Sequence, residues 1–201
     1  MQGSERPPGG ADGAQADHAW PVNSPVPPWR TALSAALQRG SKAPEARYMQ
    51  LATVDALGCP RNRSVVFRGF GPTSELLVLT DARSRKMAEL QAQSTAEICW
   101  YLAATREQFR LQVRCALHGA GAQGVWASLR TELWQARGAR GQAEWLGAVP
   151  ASALAEAVDD FVLLVCEVQQ AEHLQLRTDP HTEVVWQRAG AGWNTAVLRG
   201  G

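Results

Sequence analysis

The chain is predicted to fold as mainly β structure (β with inserted helices), with about eight antiparallel strands curled into a closed or split barrel. Three observations carry this expectation. Phe109, Leu111, Val113, Cys115 and Leu117 alternate with Gln108, Arg110, Gln112, Arg114 and Ala116, the period of a strand with one face in a core and the other wet or against a partner subunit. Shorter apolar runs recur along the chain between Gly, Pro and Asp turns. There is no alternation of strand with helix and no Gly-rich turn leading from strand to helix, so a parallel dinucleotide-binding fold is not expected. Pattern alone leaves an α+β sandwich as the alternative.

The elements follow in order. Residues 1–26 are Gly-, Pro- and Ala-rich without periodicity and are expected to form a disordered tail, leaving 27–201 as a single domain. Pro27 and Pro28 open a first helix in which Trp29, Leu33, Ala36 and Leu37 share a face, and Gly40 ends it. Strands are expected at Tyr48–Val54, Arg61–Phe70, Glu75–Leu79, Ala96–Leu102 and along the alternating run that starts at Arg106. A short helix over Ser84–Gln91 interrupts them. Val125, Trp126, Leu129, Leu133 and Trp134 mark a helix reaching Arg137, with both tryptophans expected in the core and Arg130 and Arg137 on the surface. Residues 138–159 are poorly patterned, with a short helix expected after Pro150. Three more strands are expected at Phe161–Val168, Val184–Gln187 and Trp193–Leu198, with Leu174–Leu176 as a link.

With 201 residues, 45% of them hydrophobic, the chain can bury one substantial core. A net charge of +1 without charge blocks gives no footprint for nucleic acid. The apolar run at Phe161–Cys166 is too short to cross a bilayer, so no membrane association is expected and the cytoplasm is the default location. Cys59, Cys99, Cys115 and Cys166 lack metal or redox spacing and read as reduced core residues. His18, His118, His173 and His181 show no ligand spacing, so no metal is expected.

The chemistry gathers at Thr80-Asp-Ala-Arg-Ser-Arg-Lys86, three cations and three side-chain oxygens just after an apolar strand and before a helix. Backbone N–H groups, hydroxyls and fixed charge directed at one spot make a phosphate site. Lys86 is one of two lysines in the chain. If the second and third strands pair as a hairpin, Arg63 lies beside this turn and adds a further cation. The alternative is a solvated strand face with weak surface ion pairs.

Taken in order, Tyr48–Val54, Pro60–Gly69, Leu79–Lys86, Ala96–Tyr101 and Arg106–Leu111 resemble the flavin-binding half of the pyridoxamine 5'-phosphate oxidase family, and within it the branch known as the Alr4036-type FMN-binding domain. The resemblance covers roughly residues 28 to 118. It implies an FMN-binding split β-barrel, a homodimer with FMN at the interface, and a small-molecule substrate of the pyridoxamine 5'-phosphate type. Carried over by position, it places Arg63, Ser84, Arg85 and Lys86 at the FMN phosphate, and Ser64, Val65 and Val66 along the cofactor with backbone groups at the ring edge. Arg68 would replace a family lysine near the ring, Leu79 and Thr80 would line the ribityl chain, and Gln108 would reach the partner's flavin. Of the Arg-x-His element that seats substrate in the family, only Arg177 is matched here; His181 reads as a loop histidine. A flavin reductase, an oxidase of another substrate and a non-catalytic binder remain as alternatives.

Overall fold

In the computed structural model, residues 26–40, 44–147 and 158–199 are described. Helix α1 (Pro28–Arg39) begins on a proline and ends at Gly40. Its Trp29, Leu33 and Ala36 are buried in the main core. A 3₁₀ turn (Pro44–Arg47) leads into β1 (Tyr48–Val54), followed by β2 (Pro60–Phe70), β3 (Leu76–Asp81), α2 (Arg85–Ala92), β4 (Thr95–Leu102) and β5 (Glu107–His118). Helices α3 (Gly124–Gln135) and α4 (Gly138–Leu146) precede β6 (Phe161–Gln175), β7 (Thr182–Ala189) and β8 (Gly192–Arg199).

The sheet order β3-β2-β1-β4-β5-β6 closes on itself because β3 also pairs with β6, from Leu76↔Cys166 to Asp81↔Phe161. The result is a closed six-stranded antiparallel barrel, with β7 and β8 extending the sheet beyond β6, as the mainly β expectation required. Met49, Leu51, Val65, Phe67, Ile98, Trp100, Phe109 and Leu111 fill the interior together with the apolar face of α1. Alternation along β5 puts Phe109, Leu111, Val113 and Cys115 inside and Arg110, Gln112, Arg114 and Ala116 outside.

Strand β6 carries two jobs in one length. Its first half is buried throughout from Phe161 to Cys166, because Leu164 and Cys166 face the barrel core while Leu163 and Val165 join Leu77 under Trp126, Leu129 and Leu133 of α3. A strand covered on both faces loses its polar alternation. The register then slips between Gln112↔Gln170 and Val113↔Val168, leaving Gln169 as the extra residue. That bulge reverses the inward parity, so Ala171 and His173 face the core where continuation from Val168 would have turned them out.

Several boundaries differ from the sequence expectation. Strand β3 continues through Thr80 and Asp81, which pair with Val162 and Phe161. Leu174 and Gln175 belong to β6 itself, paired with Gln108 and Glu107. The unpatterned segment after 137 begins with α4, which starts at Gly138, a residue with φ of +63° that takes the chain out of α3. The helix expected after Pro150, and the tail up to residue 25, lie outside the described residues. Cys59 is exposed and Cys99 half-buried, so only Cys115 and Cys166 are core thiols. Arg130 is no surface side chain: it is half-buried and donates to the carbonyls of Phe161 and Val158, each at 2.7 Å.

Trp29 is 1% exposed and touches Phe70 and Trp193, joining the helix to both the barrel and the outer hairpin. Trp29→Ala is expected to cost about 3–5 kcal/mol in urea unfolding, the range for an emptied aromatic site.

Candidate functional site

Pairing of β2 with β3 brings the first half of β2 beside the turn that leaves β3. In that turn Asp81 accepts from the Arg83 backbone N–H at 2.7 Å and pairs with its guanidinium, a local Asx turn that sets the chain into α2. Ser84 stands at the N-cap of α2 without a side-chain capping bond. The N–H groups of Arg85 and Lys86 are therefore left to an anion rather than consumed by a cap, while the Met87 N–H donates to the Ser84 carbonyl at 2.9 Å. Ser84 Oγ instead lies 3.2 Å from Thr80 Oγ1, which also accepts from Lys86 Nζ at 2.9 Å.

Lys86 contacts no carboxylate among the described residues. Burial and the neighbouring Arg63 charge push its ammonium below the ordinary lysine range. Arg85, at the first helical position, is exposed and makes no ion pair or side-chain hydrogen bond among the described residues.

Arg63 faces the opposite wall and is held from behind. Its Nη1 donates to Thr53 Oγ1 at 2.5 Å and to the Leu51 carbonyl at 3.2 Å, and its Nη2 to Glu89 Oε2 at 2.6 Å. Thr53 Oγ1 donates in turn to Glu89 Oε2 at 2.5 Å. Burial works against the Glu89 carboxylate, but Thr53 and Arg63 hold it below its usual range. Arg63, Arg85, Lys86 and Glu89 all line one cleft of about 580 Å³. The hairpin expectation thus holds, and the buried clamp of Thr53 and Glu89 is what sequence reasoning missed. Lys86 and Glu89 at i, i+3 on one helix face were the available signal.

Past Arg63, β2 separates its residues by face. Val65 and Phe67 are buried, while Ser64 and Arg68 are exposed and Val66 half-buried on the outer side. The β2–β3 ladder begins only at Phe67↔Val78, so the segment before it has backbone groups on one edge without a strand partner. Arg68 makes no ion pair among the described residues; partial loss of hydration, then the charges of Arg137 and Arg47, hold its pKa below the ordinary arginine value. Leu79 turns outward onto the Leu77–Leu163 cluster, and Thr80 is buried. Gln108 lies on the outer sheet face between Tyr101 and Leu174, away from the Lys86 cleft of its own chain.

Arg177 is not brought to that cleft either. It donates to the Ala104 carbonyl at 2.7 Å and lines a second cleft of about 320 Å³ with Arg39 and Glu107. Behind it, Glu107 Oε1 pairs with Arg39 at 2.7 Å, and Oε2 lies 2.7 Å from His173 Nε2. His173 is stacked on Phe109 at 4.2 Å. His181 is exposed, with Nδ1 3.0 Å from the Thr178 carbonyl, a loop histidine as expected.

Comparison with known proteins agrees with this fold. The family model of the pyridoxamine 5'-phosphate oxidase FMN-binding domain matches residues 26–119. Pyridoxine/pyridoxamine 5'-phosphate oxidase 2 of Arabidopsis thaliana is 31% identical over 170 residues, covering 77% of this chain and 86% of the plant protein. The chain belongs to the pyridoxamine 5'-phosphate oxidase family. Members of this superfamily are FMN-binding oxidoreductases with a split-barrel fold. A solved family structure, a pyridoxamine 5'-phosphate oxidase-related FMN-binding protein of Nostoc punctiforme, is 34% identical with a TM-score of 0.69, covering 86% of this chain and 97% of its own. PhzG from Burkholderia lata, solved with tetrahydrophenazine-1-carboxylic acid, shares the fold at 21% identity and TM-score 0.70, covering 92% of this chain and 98% of its own. The matched segment holds α1 to β5 and hence the whole Lys86 cleft, whereas Arg177 lies outside the family model.

Burial holds both His118 and His173 below the ordinary value of 6.5, although Glu107 works in the opposite direction on His173. The unfolded chain therefore takes up protons first as the medium is acidified. Stability is expected to fall as pH drops below about 6.5, by at most about 1.4 kcal/mol per unit for each histidine. Urea midpoints measured from neutral pH downward check the sign; a midpoint that rises over that interval contradicts it.

Proposed function

We propose that this protein is an FMN-dependent oxidoreductase that oxidises pyridoxamine or pyridoxine 5'-phosphate, working as a homodimer with the flavin between subunits. The observation that carries the reading is the uncapped start of α2, where Arg85 and Lys86 are unpaired by carboxylates and face Arg63 across one cleft. Glu89 neutralises Arg63, so the cleft offers two uncompensated positive charges to the roughly −1.5 to −2 of a phosphate monoester. The residues fit the phosphate end of FMN.

Arg63, Ser84, Arg85 and Lys86 hold that phosphate, with Thr80 orienting the Lys86 ammonium. Ser64, Val65 and Val66, on the unpaired edge of β2, give backbone groups to the ring, and Leu79 and Thr80 border the chain between ring and phosphate. Bound there, FMN would take a hydride equivalent from substrate and lose it to oxygen. Arg68, an exposed cation without an ion pair among the described residues, stands on the outer side of β2 near the ring position. The outer sheet face, with Tyr48 and Tyr101 about half exposed, is the surface for the second subunit, and it carries Gln108 to the partner's flavin. The narrower placement in the Alr4036-type branch rests on the order Tyr48–Val54, Pro60–Gly69, Leu79–Lys86, Ala96–Tyr101 and Arg106–Leu111. A second reading, a reductase, an oxidase of another substrate or a binder without turnover, is favoured by one observation: Arg177 lies in a separate cleft, bonded to the Ala104 carbonyl.

Mixing the flavin-loaded protein anaerobically with pyridoxamine 5'-phosphate is expected to bleach the flavin within the mixing experiment. Bleaching by NADPH and not by the vitamer would overturn the oxidase reading and support a reductase. Lys86→Ala is expected to weaken FMN by about 10- to 150-fold, the loss of a charge-assisted contact of about 1.5–3 kcal/mol, while riboflavin affinity stays within about twofold. Isothermal titration with both ligands checks it.

A further inference from the structure

The cleft that holds Arg63, Arg85 and Lys86 is larger than a phosphate requires and extends toward the wrong end of β2 for the flavin ring. Its remaining walls are Ala56 and Asp55 of the β1–β2 turn, Arg61 and Asn62 at the start of β2, and Ala88, Ala92 and the Arg63-bound Glu89 of α2. Neither Val65, Val66, Arg68 nor Leu79 lines it. Arg61 and Asn62 precede Arg63 while the ring-edge residues follow it, and at about 3.3 Å per residue the two groups diverge on either side of the phosphate cradle. At about 580 Å³ the cleft would hold about twenty waters at their liquid volume of about 30 Å³ each, far more than a phosphate group displaces.

The chemistry of these walls is specific. Ala88 and Ala92, at i and i+4, present a low apolar face on α2, and Ala56 adds a second small side chain. Asn62 makes no side-chain hydrogen bond among the described residues, so its amide offers both a donor and an acceptor. The Arg61 guanidinium is fixed by Asp55 at 2.6 Å, a planar cation suited to stacking on a base. With Arg61 and Arg63 each paired to a carboxylate, Arg85 and Lys86 remain to match the two charges of a pyrophosphate diester.

We infer that this cleft is a subsite for a purine nucleotide joined to the flavin through its phosphate, so that the protein takes FAD as well as FMN. The inference rests on the flavin reading above. The flavin phosphate occupies the Lys86 end, and the adenylate lies along Ala88 and Ala92 with its base edge at Asn62 and its face on Arg61.

The test is a fluorescence titration of the full-length apoprotein with FMN and with FAD, repeated for Ala92→Trp, which fills the groove from an exposed helix end, and for Asn62→Ala on the other wall. The expected result is an FAD dissociation constant within about tenfold of that for FMN, and a ratio of FAD to FMN constants that rises at least about tenfold in Ala92→Trp and in the same direction in Asn62→Ala. FMN binding with FAD weaker by more than about tenfold overturns the subsite and leaves the flavin reading standing. Comparable affinities whose ratio neither variant moves place the adenylate in solvent and also overturn it. Loss of both flavins in the native protein removes the flavin reading and this inference with it.

Discussion

Closure of the barrel by β3 on β6 is the constraint on which the rest of the molecule depends. Six residue pairs, Leu76↔Cys166 through Asp81↔Phe161, turn an open sheet into a barrel and leave only the first half of β2 with an unpaired edge on the β3 side. Closure requires covering both faces of the seam. Inside, Leu76, Val78, Leu164 and Cys166 join the main core; outside, Leu77, Leu163 and Val165 are covered by α3. Because β3 must run to Asp81 to complete these pairs, the chain leaves the sheet at the barrel rim. There Arg83 and Ser84 turn it directly into α2, so the helix N-terminus and Lys86 arrive beside Arg63.

The same strand then serves two environments. On β2, Arg63 points to a buried clamp where Thr53 and Glu89 absorb its hydrogen-bonding capacity, and Arg68 points outward among like charges. The first arrangement fixes a cation in place by desolvated, charge-assisted bonds, which are shorter and stronger than exposed ones. The second leaves charge unsatisfied. Burial and a neighbouring guanidinium disfavour the Lys86 ammonium, and an anion beside it would offset both effects.

The legible parts of the sequence were those governed by local pattern. Alternation on β5, the Pro-Pro start of α1 and the turn chemistry of Thr80–Lys86 each specify their structure within a few residues. Illegible parts depend on distant partners. Nothing local distinguishes Thr80 and Asp81 as strand residues; Val162 and Phe161 make them so. The polar pair Gln169–Gln170 hides the continuation of β6, because its inward parity is reset by the bulge at Gln169. Arg63 was readable as a cation near the phosphate turn, yet its engagement by Glu89 follows from how α2 lies on β1 and β2. Nothing local in the sequence relates the charges of Arg47 and Arg137 to Arg68, which is 21 and 69 residues away from them in the chain.

A crystal structure of the flavin complex decides where the cofactor is held through the position of one phosphorus atom. The phosphate is expected within hydrogen-bond distance of Lys86 Nζ and of the Arg85 and Lys86 N–H groups, with Arg63 still paired to Glu89. A flavin whose phosphate lies at Arg177 in the cleft beside Glu107, or anywhere away from the start of α2, would contradict it.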